Sequence, residues 1–551
     1  MKMMFSLLLY SIQLILPFMA ILIAYCCFRT LFKSLKPMRP LVVLLNRATG
    51  EKIPIMYWEN SLGRDRHCDI VLNMPSVSRY HAVLYRRKSG WFISDTNSKV
   101  GVLLNGKKIK NDEKIFIGDI INVGGVALEL CRTDVLSLKN REDMGSDFDY
   151  DTYSGGGLLI LITIFQILST LSVCFGSGKF DYKPAVLSGI MLLFEWLVFG
   201  VTKFGFKRDN FEIEAIAMFL SGIGVVNLCG VDINDAFTQL IAMALGIIFF
   251  EIIVLVIKHA DFCMKLRPYV ALFALALLAV NLVFGKVKNG SQNWIMIGGY
   301  SLQPSEFVKV AFVFLGASTL KGIQTTKNLT WFILFSAACM GALYLMGDFG
   351  TACIFFVTFI LIAFMRSGSI RTVVLTCATA ALGVAFILKF KPYIMTRFSA
   401  WRHVWEHPND IGYQQTRVLT YSASGGLLGL GVGKGCLKHV FAAPSDLVFG
   451  MLCEEWSMIL GIIVLLMIVL LAIYVRHAGV RSRSAFYTIS SCCAAGMMTF
   501  QMIMNVFGVT DMLPLTGVTL PFVSLGGSSL VSVWALMAFI KASDERTYLR
   551  G

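Results

Sequence analysis

The sequence has few charged residues and lacks the paired cysteines of a metal site. Asp, Glu, Lys and Arg make up 15% of its 551 residues, whereas 56% are hydrophobic. Because soluble domains contain about one quarter charged residues, this composition excludes an ordinary soluble protein and predicts a polytopic α-helical membrane protein. The 14 cysteines are scattered and form no C-x-x-C pair, which argues against a disulfide framework or a cysteine-bound metal.

Two further absences narrow the function. The formal net charge is +15, but no long basic tract is interleaved with aromatic residues, so nucleic acid is not an expected partner. The first apolar run is followed by no small-residue cleavage site. Residues 1–28 are therefore predicted to be a retained transmembrane anchor rather than a signal peptide.

Apolar runs long enough to cross a bilayer recur along the chain and predict about thirteen spans. They lie near residues 5–27, 158–175, 185–202, 212–229, 238–257, 268–285, 304–320, 329–346, 350–365, 372–389, 448–475, 485–507 and 519–540. Basic clusters lie at 29–39, 203–208, 258–267, 366–371 and 476–483 and around the tail 543–551. All of them fall on one side of the path, which the positive-inside rule assigns to the cytoplasm. The N-terminus and loops 286–303, 390–447 and 508–518 are accordingly expected outside.

Residues 40–133 carry a different pattern from the apolar runs. Short stretches of alternating polarity, such as HAVLYRR and GWFISD, are separated by turns. This pattern predicts a small all-β sandwich, inserted after the first span and therefore cytoplasmic. Residues 134–156 are acidic and end in glycines, which predicts a flexible linker.

Within this β region, LGRDRHCDIVLNMPSVSRYHAVL and the later DTNSKVGVLLNG resemble the forkhead-associated (FHA) domain. The resemblance implies a partner protein that carries phosphothreonine. Arg64 and Ser78 would bind its phosphate, Arg79 would assist, His81 would brace the loop, and Asn105 would anchor loop geometry. Guanidinium groups suit this role because they make charge-assisted hydrogen bonds to phosphate oxygens.

One position departs from the FHA pattern. Where such domains carry an asparagine that contacts the ligand backbone, this chain has Val100. The alternative is a sandwich that serves only as a docking surface, and the sequence leaves both readings open.

Polar residues at membrane depth are costly and mark functional sites. Here they cluster with Gly and Pro near the outward ends of spans, which predicts a cavity open to the outer leaflet. QPSEFVK at 303–309, GDFGT at 347–351 and LPLTGVTLPFVSLGGSSL at 513–530 resemble, in this order, the SEDS family of FtsW/RodA/SpoVE-like peptidoglycan glycosyltransferases. The resemblance covers 212–542 and implies a ten-helix membrane core, to which the first span and two helices within 157–205 are additions.

The family resemblance implies polymerisation of lipid II at the outer membrane face, in division or elongation, together with a class B penicillin-binding protein (a transpeptidase). A carboxylate deprotonates the acceptor hydroxyl, which attacks an anomeric carbon while undecaprenyl pyrophosphate leaves. This chemistry needs a base at the hydroxyl and cations at the leaving group. The candidate substrate-binding residues are Lys309, Arg397, Arg402, Arg417, Gln414, Asp446, Glu454 and Ser528. The resemblance implies no definite cofactor. A divalent cation, Mg²⁺ or Mn²⁺, at the leaving group is an open alternative.

Several polar residues have a simpler alternative role. Asp348, Asp446, Glu454 and Glu455 are equally suited to helix capping and to hydrogen bonds between helices. Gln501 and Asn505, four residues apart on one helix, are predicted to join helices rather than to contact substrate.

The stretch HVWEHP at 403–408 matches the zinc-protease pattern H-x-x-E-H. His407, however, precedes Pro408, and a residue before proline is pushed out of the α region, so no zinc site is predicted. In the family that the chain resembles, the residue at the position of His407 is the catalytic aspartate. The candidate bases are therefore Glu406, His407 and Asp410.

Besides an enzyme with a relocated base, two other functions remain as alternatives. The first is an inactive membrane scaffold that recruits or activates a transpeptidase. A transporter of lipid-linked precursors is the second, and it would need a polar path through the cytoplasmic leaflet.

Overall fold

The computed structural model describes residues 2–33, 40–66, 68–87, 89–109, 112–133, 155–176, 180–208, 210–258, 260–288, 291–318, 326–367, 370–371, 373–378, 399–480, 482, 484–544 and 547. Two kinds of structure alternate along it. An all-β unit lies between the first helix and a large helical unit, which confirms the predicted fold class.

The β unit is a sandwich of two sheets. Its strands are β1 (Val42–Asn46), β2 (Lys52–Ile55), β3 (Glu59–Gly63), β4 (Ile70–Val71), β5 (Ala82–Arg87), β6 (Gly90–Asp95), β7 (Val102–Leu104), β8 (Lys107–Lys108), β9 (Glu113–Ile115), β10 (Ile120–Val123) and β11 (Val126–Cys131). The strand orders are β2-β1-β11-β10-β7-β8 and β4-β3-β5-β6-β9. Side chains that alternate along each strand, among them Leu44, Leu84 and Ile121, are fully buried in one core between the sheets. Alternation of period two is what places them on one face.

The helical unit follows the predicted spans closely. The helices are α1 (Lys2–Lys33), α2 (Gly155–Cys174), α3 (Lys183–Gly200), α4 (Glu212–Cys229), α5 (Ile233–Ile257), α6 (Ala260–Phe284), α7 (Pro304–Ser318), α8 (Thr326–Met346), α9 (Phe349–Ser367), α10 (Tyr413–Gly425), α11 (Val448–Met451), α12 (Met458–Val480), α13 (Ala485–Val509) and α14 (Gly527–Ser543). Within the described residues, 8 helical segments are long and apolar enough to cross a membrane, and three shorter ones are also apolar. Of the predicted span 372–389, residues 373–378 are helical and the rest lies outside the described residues.

Two predicted spans are shorter in the structure. The run 448–475 is not one helix, because α11 passes through a π-helical turn at Leu452–Trp456 and the extended Ser457 (φ 169°, ψ 153°) separates it from α12. The run 519–540 becomes helical only at Gly527. In the preceding segment, side chains satisfy backbone groups: Asn505 Nδ2 donates to the carbonyl of Val518 at 2.7 Å. Apolar composition alone predicts neither break.

The segment 286–303 folds into a small antiparallel sheet that the sequence did not predict. Its strands are β12 (Lys286–Lys288), β13 (Ser291–Ile297) and β14 (Tyr300–Leu302). Gly298 and Gly299 form the turn between the last two strands with φ of 58° and 89°, a turn that requires two positive φ values and so favours glycine.

Helix α14 lies at the centre of the bundle, and its residues 528–543 are all buried. It packs against α5, where a Cβ at Gly246 would lie 3.0 Å from Cβ of Trp534. The additional helix α2 packs against α4, because Gly222 leaves room for the side chain of Gln166. Gln166 in turn donates to Glu195 of α3 at 3.0 Å.

Helix α1 runs the length of the bundle. Near its start, Gln13 donates to the carbonyls of Leu428, at 3.1 Å, and Gly429. Near its end, the ring of Phe32 lies 5.2 Å from that of His477. The two contacts are 19 residues apart, about 28 Å along a helix, so loop 427–440 and the end of α12 lie at opposite ends of the bundle.

The sandwich contacts the bundle at the end where α12 finishes. The ring of Trp58 lies 5.9 Å from that of Tyr487 in an edge-to-face arrangement. Ser484 Oγ donates to Glu59 Oε1 at 3.2 Å. The sandwich is therefore seated on the N-terminal end of α13.

Candidate functional site

A buried ion pair lies inside the helical unit, on α7. Lys309 Nζ donates to Glu306 Oε1 at 2.8 Å and to Gln501 Oε1 of α13 at 3.1 Å. The side chains of Lys309 and Glu306 are 1% and 5% exposed. A buried pair of this kind is costly unless its remaining polar atoms are also bonded.

Residues of the segment 513–532 supply those further bonds. Ser532 Oγ donates to Glu306 Oε2 at 2.8 Å. Gln501 Nε2 donates to Thr519 Oγ1 at 3.0 Å, and Thr519 Oγ1 lies 2.7 Å from Ser529 Oγ. The ion pair thus connects α7 and α13 with the segment that leads into α14.

The segment 347–351 joins the same set of contacts. Gln303 Nε2 donates to Asp348 Oδ2, and the Gln303 amide donates to Ser528 Oγ, both at 3.4 Å. Asp348 Oδ1 accepts from the Thr351 amide at 3.0 Å, so the capping role considered for Asp348 is confirmed. A Cβ at Gly350 would lie 2.7 Å from Val518 Cγ2, which is why a glycine is needed at this crossing.

These contacts define a polar network in which the three sequence clusters 303–309, 347–351 and 513–530 meet. Its members are Gln303, Glu306, Lys309, Asp348, Gln501, Thr519, Ser528, Ser529 and Ser532. Neither Glu306 nor Ser532 was among the site residues predicted from the sequence. Glu306 stands three residues before Lys309 on one helix, a spacing that places the two side chains together and that could have identified the pair.

A glycine-rich loop, residues 427–437, wraps around two buried carboxylates. Glu454 accepts from the amides of Cys436 at 2.7 Å and Leu437 at 3.0 Å. Glu455 accepts from Gly433 at 2.7 Å and Gly435 at 3.2 Å. Burial raises the pKa of Glu455 to about 7, and these amides act in the opposite direction. Both side chains therefore hold the loop in place, whereas a role of Glu454 in substrate binding stays a prediction.

The segment 399–412, which carries the candidate bases, is built of turns and is tied to the segment before α14. Trp401 Nε1 donates to the carbonyl of Met512 at 3.2 Å, and the Arg402 amide donates to Asp511 Oδ1 at 3.0 Å. Arg402 and Asp511 both have positive φ, 63° and 60°. Strained residues of this kind persist where the surrounding contacts hold them, so the position of this loop is set by residues 511–512.

The candidate bases are exposed on this loop. Glu406, His407 and Asp410 all lie on the surface. The His407 carbonyl accepts from the Gly412 amide at 3.1 Å, and this bond closes the turn. Their side chains make no hydrogen bond or ion pair with the described residues, and their role as a base stays a prediction.

The zinc pattern has no support in this geometry. His403 and His407 lie in turns rather than on one helical face. His403 Nδ1 lies 3.1 Å from the Trp401 carbonyl. In the described part of the chain, no group of three or more His, Cys, Asp or Glu residues is placed to hold a metal ion.

The other candidate substrate-binding residues lie around the same loops. Gln414 Nε2 donates to the Phe441 carbonyl at 3.0 Å. The Arg417 guanidinium lies over the ring of Tyr413, 5.1 Å from its centre. The Asp446 carbonyl accepts from Asn505 Nδ2 at 2.8 Å. Arg397 lies outside the described residues.

Gln501 and Asn505 join structural elements as predicted. Gln501 links α13 to Lys309 and Thr519, and Asn505 links it to residues 446 and 518. The C-terminal half of α13 therefore connects the polar network with the loop that carries Asp446.

The candidate phosphopeptide site lies at the loops of the sandwich. Arg64 and Arg79 are exposed, and Ser78 Oγ accepts from the Lys99 amide at 3.1 Å. His81 is fully buried; its Nδ1 accepts from the Ser78 amide at 3.0 Å and its Nε2 lies 3.2 Å from the Gly101 carbonyl. The imidazole thus joins the two loops.

Asn105 acts on the next turn of the sandwich. Its Nδ2 donates to Asp119 Oδ1, and its Oδ1 accepts from the Ile120 amide, both at 2.9 Å. It fixes a loop, which is the geometry expected for an anchoring residue.

Comparisons with known proteins agree with both units. The family model described as cell cycle protein, FtsW/RodA/SpoVE, matches residues 215–548, and the FHA domain model matches residues 60–124. The probable peptidoglycan glycosyltransferase FtsW of Wigglesworthia glossinidia brevipalpis is 31% identical over 54% of this chain and 80% of its own length. Stage V sporulation protein E of Bacillus subtilis is 31% identical over 48% of this chain and 74% of its own.

Among the solved structures that resemble the helical unit is a chain described under "Structural coordination of polymerization and crosslinking by a peptidoglycan synthase complex". The TM-score is 0.52 at 24% identity, and the match covers 60% of this chain and 96% of that chain. This likeness supports the fold of the membrane core.

Proposed function

Since the chain belongs to the FtsW/RodA/SpoVE family of cell cycle proteins, we propose that it is a peptidoglycan glycosyltransferase that polymerises lipid II at the outer face of the cytoplasmic membrane. The observation that carries the proposal is the polar network on α7 and α13, in which three distant family segments meet. The loop of exposed candidate bases is bonded to residues 511–512, which follow α13. Relatives that are 31% and 32% identical to this chain are named probable peptidoglycan glycosyltransferases.

In the reaction, an acceptor sugar hydroxyl loses its proton to a base and its oxygen bonds to the anomeric carbon of a second lipid-linked chain. The bond from that carbon to the pyrophosphate oxygen breaks, and undecaprenyl pyrophosphate leaves with the electron pair. General-base assistance of this kind typically contributes about 10²- to 10⁴-fold. The base proposed here is Glu406, with His407 and Asp410 as the other candidates, because all three are exposed beside Pro408.

Cations near the leaving group would stabilise its developing charge. Arg402 and Arg417 flank the loop of the candidate bases, and neither is in an ion pair within the described residues. Lys309 is different, because its charge is already balanced by Glu306 at 2.8 Å. We propose that Arg402 and Arg417 meet the pyrophosphate, whereas Lys309 holds the network in place.

The proposed orientation puts loops 390–447 and 508–518 outside and the sandwich and C-terminus in the cytoplasm. The basic clusters support it through the positive-inside rule. The contacts of Gln13 and Trp58 support it as well, since they separate the sandwich from the outer loops by the length of the bundle.

Two partners belong to the proposal. A class B penicillin-binding protein would cross-link the strands, and a phosphothreonine protein would bind the sandwich at Arg64, Ser78, Arg79 and Asn105. Trp58 and Glu59 contact the first residues of α13, and the same helix carries Gln501 and Asn505. Regulation by the phospho-reading domain thus has one continuous helix through which to act on the polar network.

The test is polymerisation of lipid II by the purified full chain with its cognate penicillin-binding protein made glycosyltransferase-free. Glu406→Gln removes a base without changing its size and is expected to lower strand formation about 100-fold or more. His407→Ala and Asp410→Asn test the other candidates, and Asn409→Ala, which changes an exposed neighbour that is not a base candidate, is the control. If Glu406→Gln is as active as the control, Glu406 is excluded as the base.

A scaffold is the second candidate function, because His407 stands where the family carries its aspartate. If the wild-type chain makes no glycan strands yet still binds and activates the transpeptidase, the scaffold is correct and the enzyme proposal fails.

A further inference from the structure

An apolar cavity of about 610 Å³ lies between α6, α7 and α8, away from the polar network. Its walls include Ala271, Leu315, Phe332 and Ala338, and none of the network residues is among them. Arg267 is the one charged residue among the described residues that line it. Cavities of a few hundred cubic ångströms, apolar with a single polar group, are typical of small-molecule sites.

The floor of the cavity is firmly packed. The rings of Phe332 and Phe335 lie 5.3 and 6.0 Å from that of Phe312 on α7. A Cβ at Gly316 would lie 3.1 Å from Cζ of Phe332, so this glycine lets α8 approach α7. The cavity is therefore a shaped feature between close-packed helices rather than a sign of loose packing.

The mouth of the cavity lies near one end of the bundle. Arg267 lies near the beginning of α6 and Trp331 near the beginning of α8. Trp331 is 68% exposed, and exposed tryptophan at a helix end is typical of the membrane interface. Lys258 and Lys265 flank the same end of the helices, the end that the positive-inside rule assigns to the cytoplasm.

An apolar volume with a guanidinium at interface depth has the chemistry to bind a lipid with a negatively charged head. Guanidinium groups form paired hydrogen bonds with phosphate, and basic pockets between helices on the cytoplasmic side are suited to anionic lipids. We propose that the cavity between α6, α7 and α8 binds an anionic phospholipid of the inner leaflet, with one acyl chain in the cavity and the phosphate on Arg267. The site is independent of the glycosyltransferase reaction, which lies at the opposite end of the helices.

The proposal is tested by native mass spectrometry of lipids retained by the full chain. The protein is released from vesicles of equimolar dioleoyl phosphatidylglycerol and dioleoyl phosphatidylcholine. The wild type is expected to retain phosphatidylglycerol in preference to phosphatidylcholine. Arg267→Gln is expected to lower its retention about fivefold, the equivalent of the ~1 kcal/mol that one basic side chain contributes near an anionic surface.

Two further variants separate charge from shape. Ala338→Phe fills the cavity without changing charge and is expected to lower phosphatidylglycerol retention as well. Lys265→Gln removes the same charge two residues away, on another face of α6 and outside the cavity lining, and is the matched control with less than a twofold effect. Thermal unfolding of each variant in detergent confirms that it is folded.

Three outcomes would overturn the site. If Arg267→Gln and Lys265→Gln lower phosphatidylglycerol retention equally, the retention depends on general surface charge and not on this site. If the wild type retains the two lipids equally, the cavity binds acyl chains without recognising the head group. Retention of a polyprenyl phosphate in place of phosphatidylglycerol, when native membranes are used, would assign the cavity to the lipid-linked substrate or product.

Discussion

At the scale of the residue, the most demanding feature is the ion pair of Lys309 and Glu306. Both side chains are almost fully buried, and the pair is completed by Gln501 and Ser532. A buried pair contributes little net stability, but loss of one partner leaves an uncompensated buried charge. The pair is therefore suited to fixing a unique arrangement of α7, α13 and α14.

Lys309→Met is expected to lower the free energy of unfolding by about 3 kcal/mol, because Glu306 would stay buried without its cation. The combined change Lys309→Met with Glu306→Leu is expected to recover most of this loss, since it removes both charges. Thermal unfolding in detergent measures both effects. A combined variant no more stable than the single one would show that the pair itself stabilises the fold.

Val100 is the residue at which the candidate phosphopeptide site departs from the FHA pattern. It is 55% exposed and follows Lys99, whose amide donates to Ser78. Val100→Asn would supply an amide group toward the ligand backbone, and one added hydrogen bond contributes about 1 kcal/mol. The affinity of the full chain for phosphothreonine peptides of a degenerate library is expected to rise about fivefold, measured by fluorescence anisotropy.

Val100→Ala is the matched control for this change, because it shortens the side chain without adding a donor. Equal affinities of the Asn and Ala variants would mean that position 100 does not face the ligand. Binding lost in Arg64→Ala but not in either of these variants would leave the phosphate contact as the main determinant.

At the scale of the element, the break between α11 and α12 is what shapes the glycine-rich loop 427–437. The π-helical turn Leu452–Trp456 directs Glu454 and Glu455 toward the amides of the glycine-rich loop. Four backbone amides are satisfied by two carboxylates, and the loop needs no secondary structure of its own. A continuous helix would leave those amides without these acceptors.

Gly435→Ala is expected to destabilise this loop by about 1–3 kcal/mol, because a Cβ would lie 2.6 Å from Cγ of Glu455 and 2.7 Å from Oε2 of Glu454. The control is Gly341→Ala in α8, where a Cβ would meet nothing within 4 Å. An alanine in a helix interior is expected to gain about 0.5–1 kcal/mol there. Equal unfolding temperatures for the two variants would contradict the close packing around Glu455.

At the scale of the whole molecule, the sandwich and the membrane unit meet at the beginning of α13. Arg64 follows the last residue of β3, whereas Trp58 and Glu59 lie at its start. A strand of this length spans about 16 Å, so Arg64 and the contact with α13 lie at opposite ends of β3. We expect a partner bound at Arg64 to leave that contact intact.

Trp58→Ala is expected to loosen the contact and to speed hydrogen exchange in peptides covering 484–490 about tenfold, since Ser484 both caps α13 and donates to Glu59. Phe116→Ala, which removes an exposed ring elsewhere on the sandwich, is the control. Unchanged exchange in the Trp58 variant would mean that the sandwich does not order the helix end.

Much of this architecture was predictable because its signals are local. Run length located the helices, and period-two alternation located the sandwich. The break at Ser457 and the sheet 286–302 were missed, because they depend on partners distant in sequence or on turn geometry at Gly298 and Gly299. Among site residues, Lys309 was singled out by its motif while its partner Glu306 was not.

Composition and short motifs were enough to predict the class of the protein, the order of its apolar helices, and the two families that its units resemble. These properties follow from composition and short motifs, which can be read without knowing the contacts. Three features became visible only in the folded chain: residues 303–309, 347–351 and 513–532 share one polar network, Glu454 and Glu455 hold a loop, and the sandwich contacts α13. Each of these depends on hydrogen bonds between residues far apart in the chain, and only folding brings such residues within bonding distance.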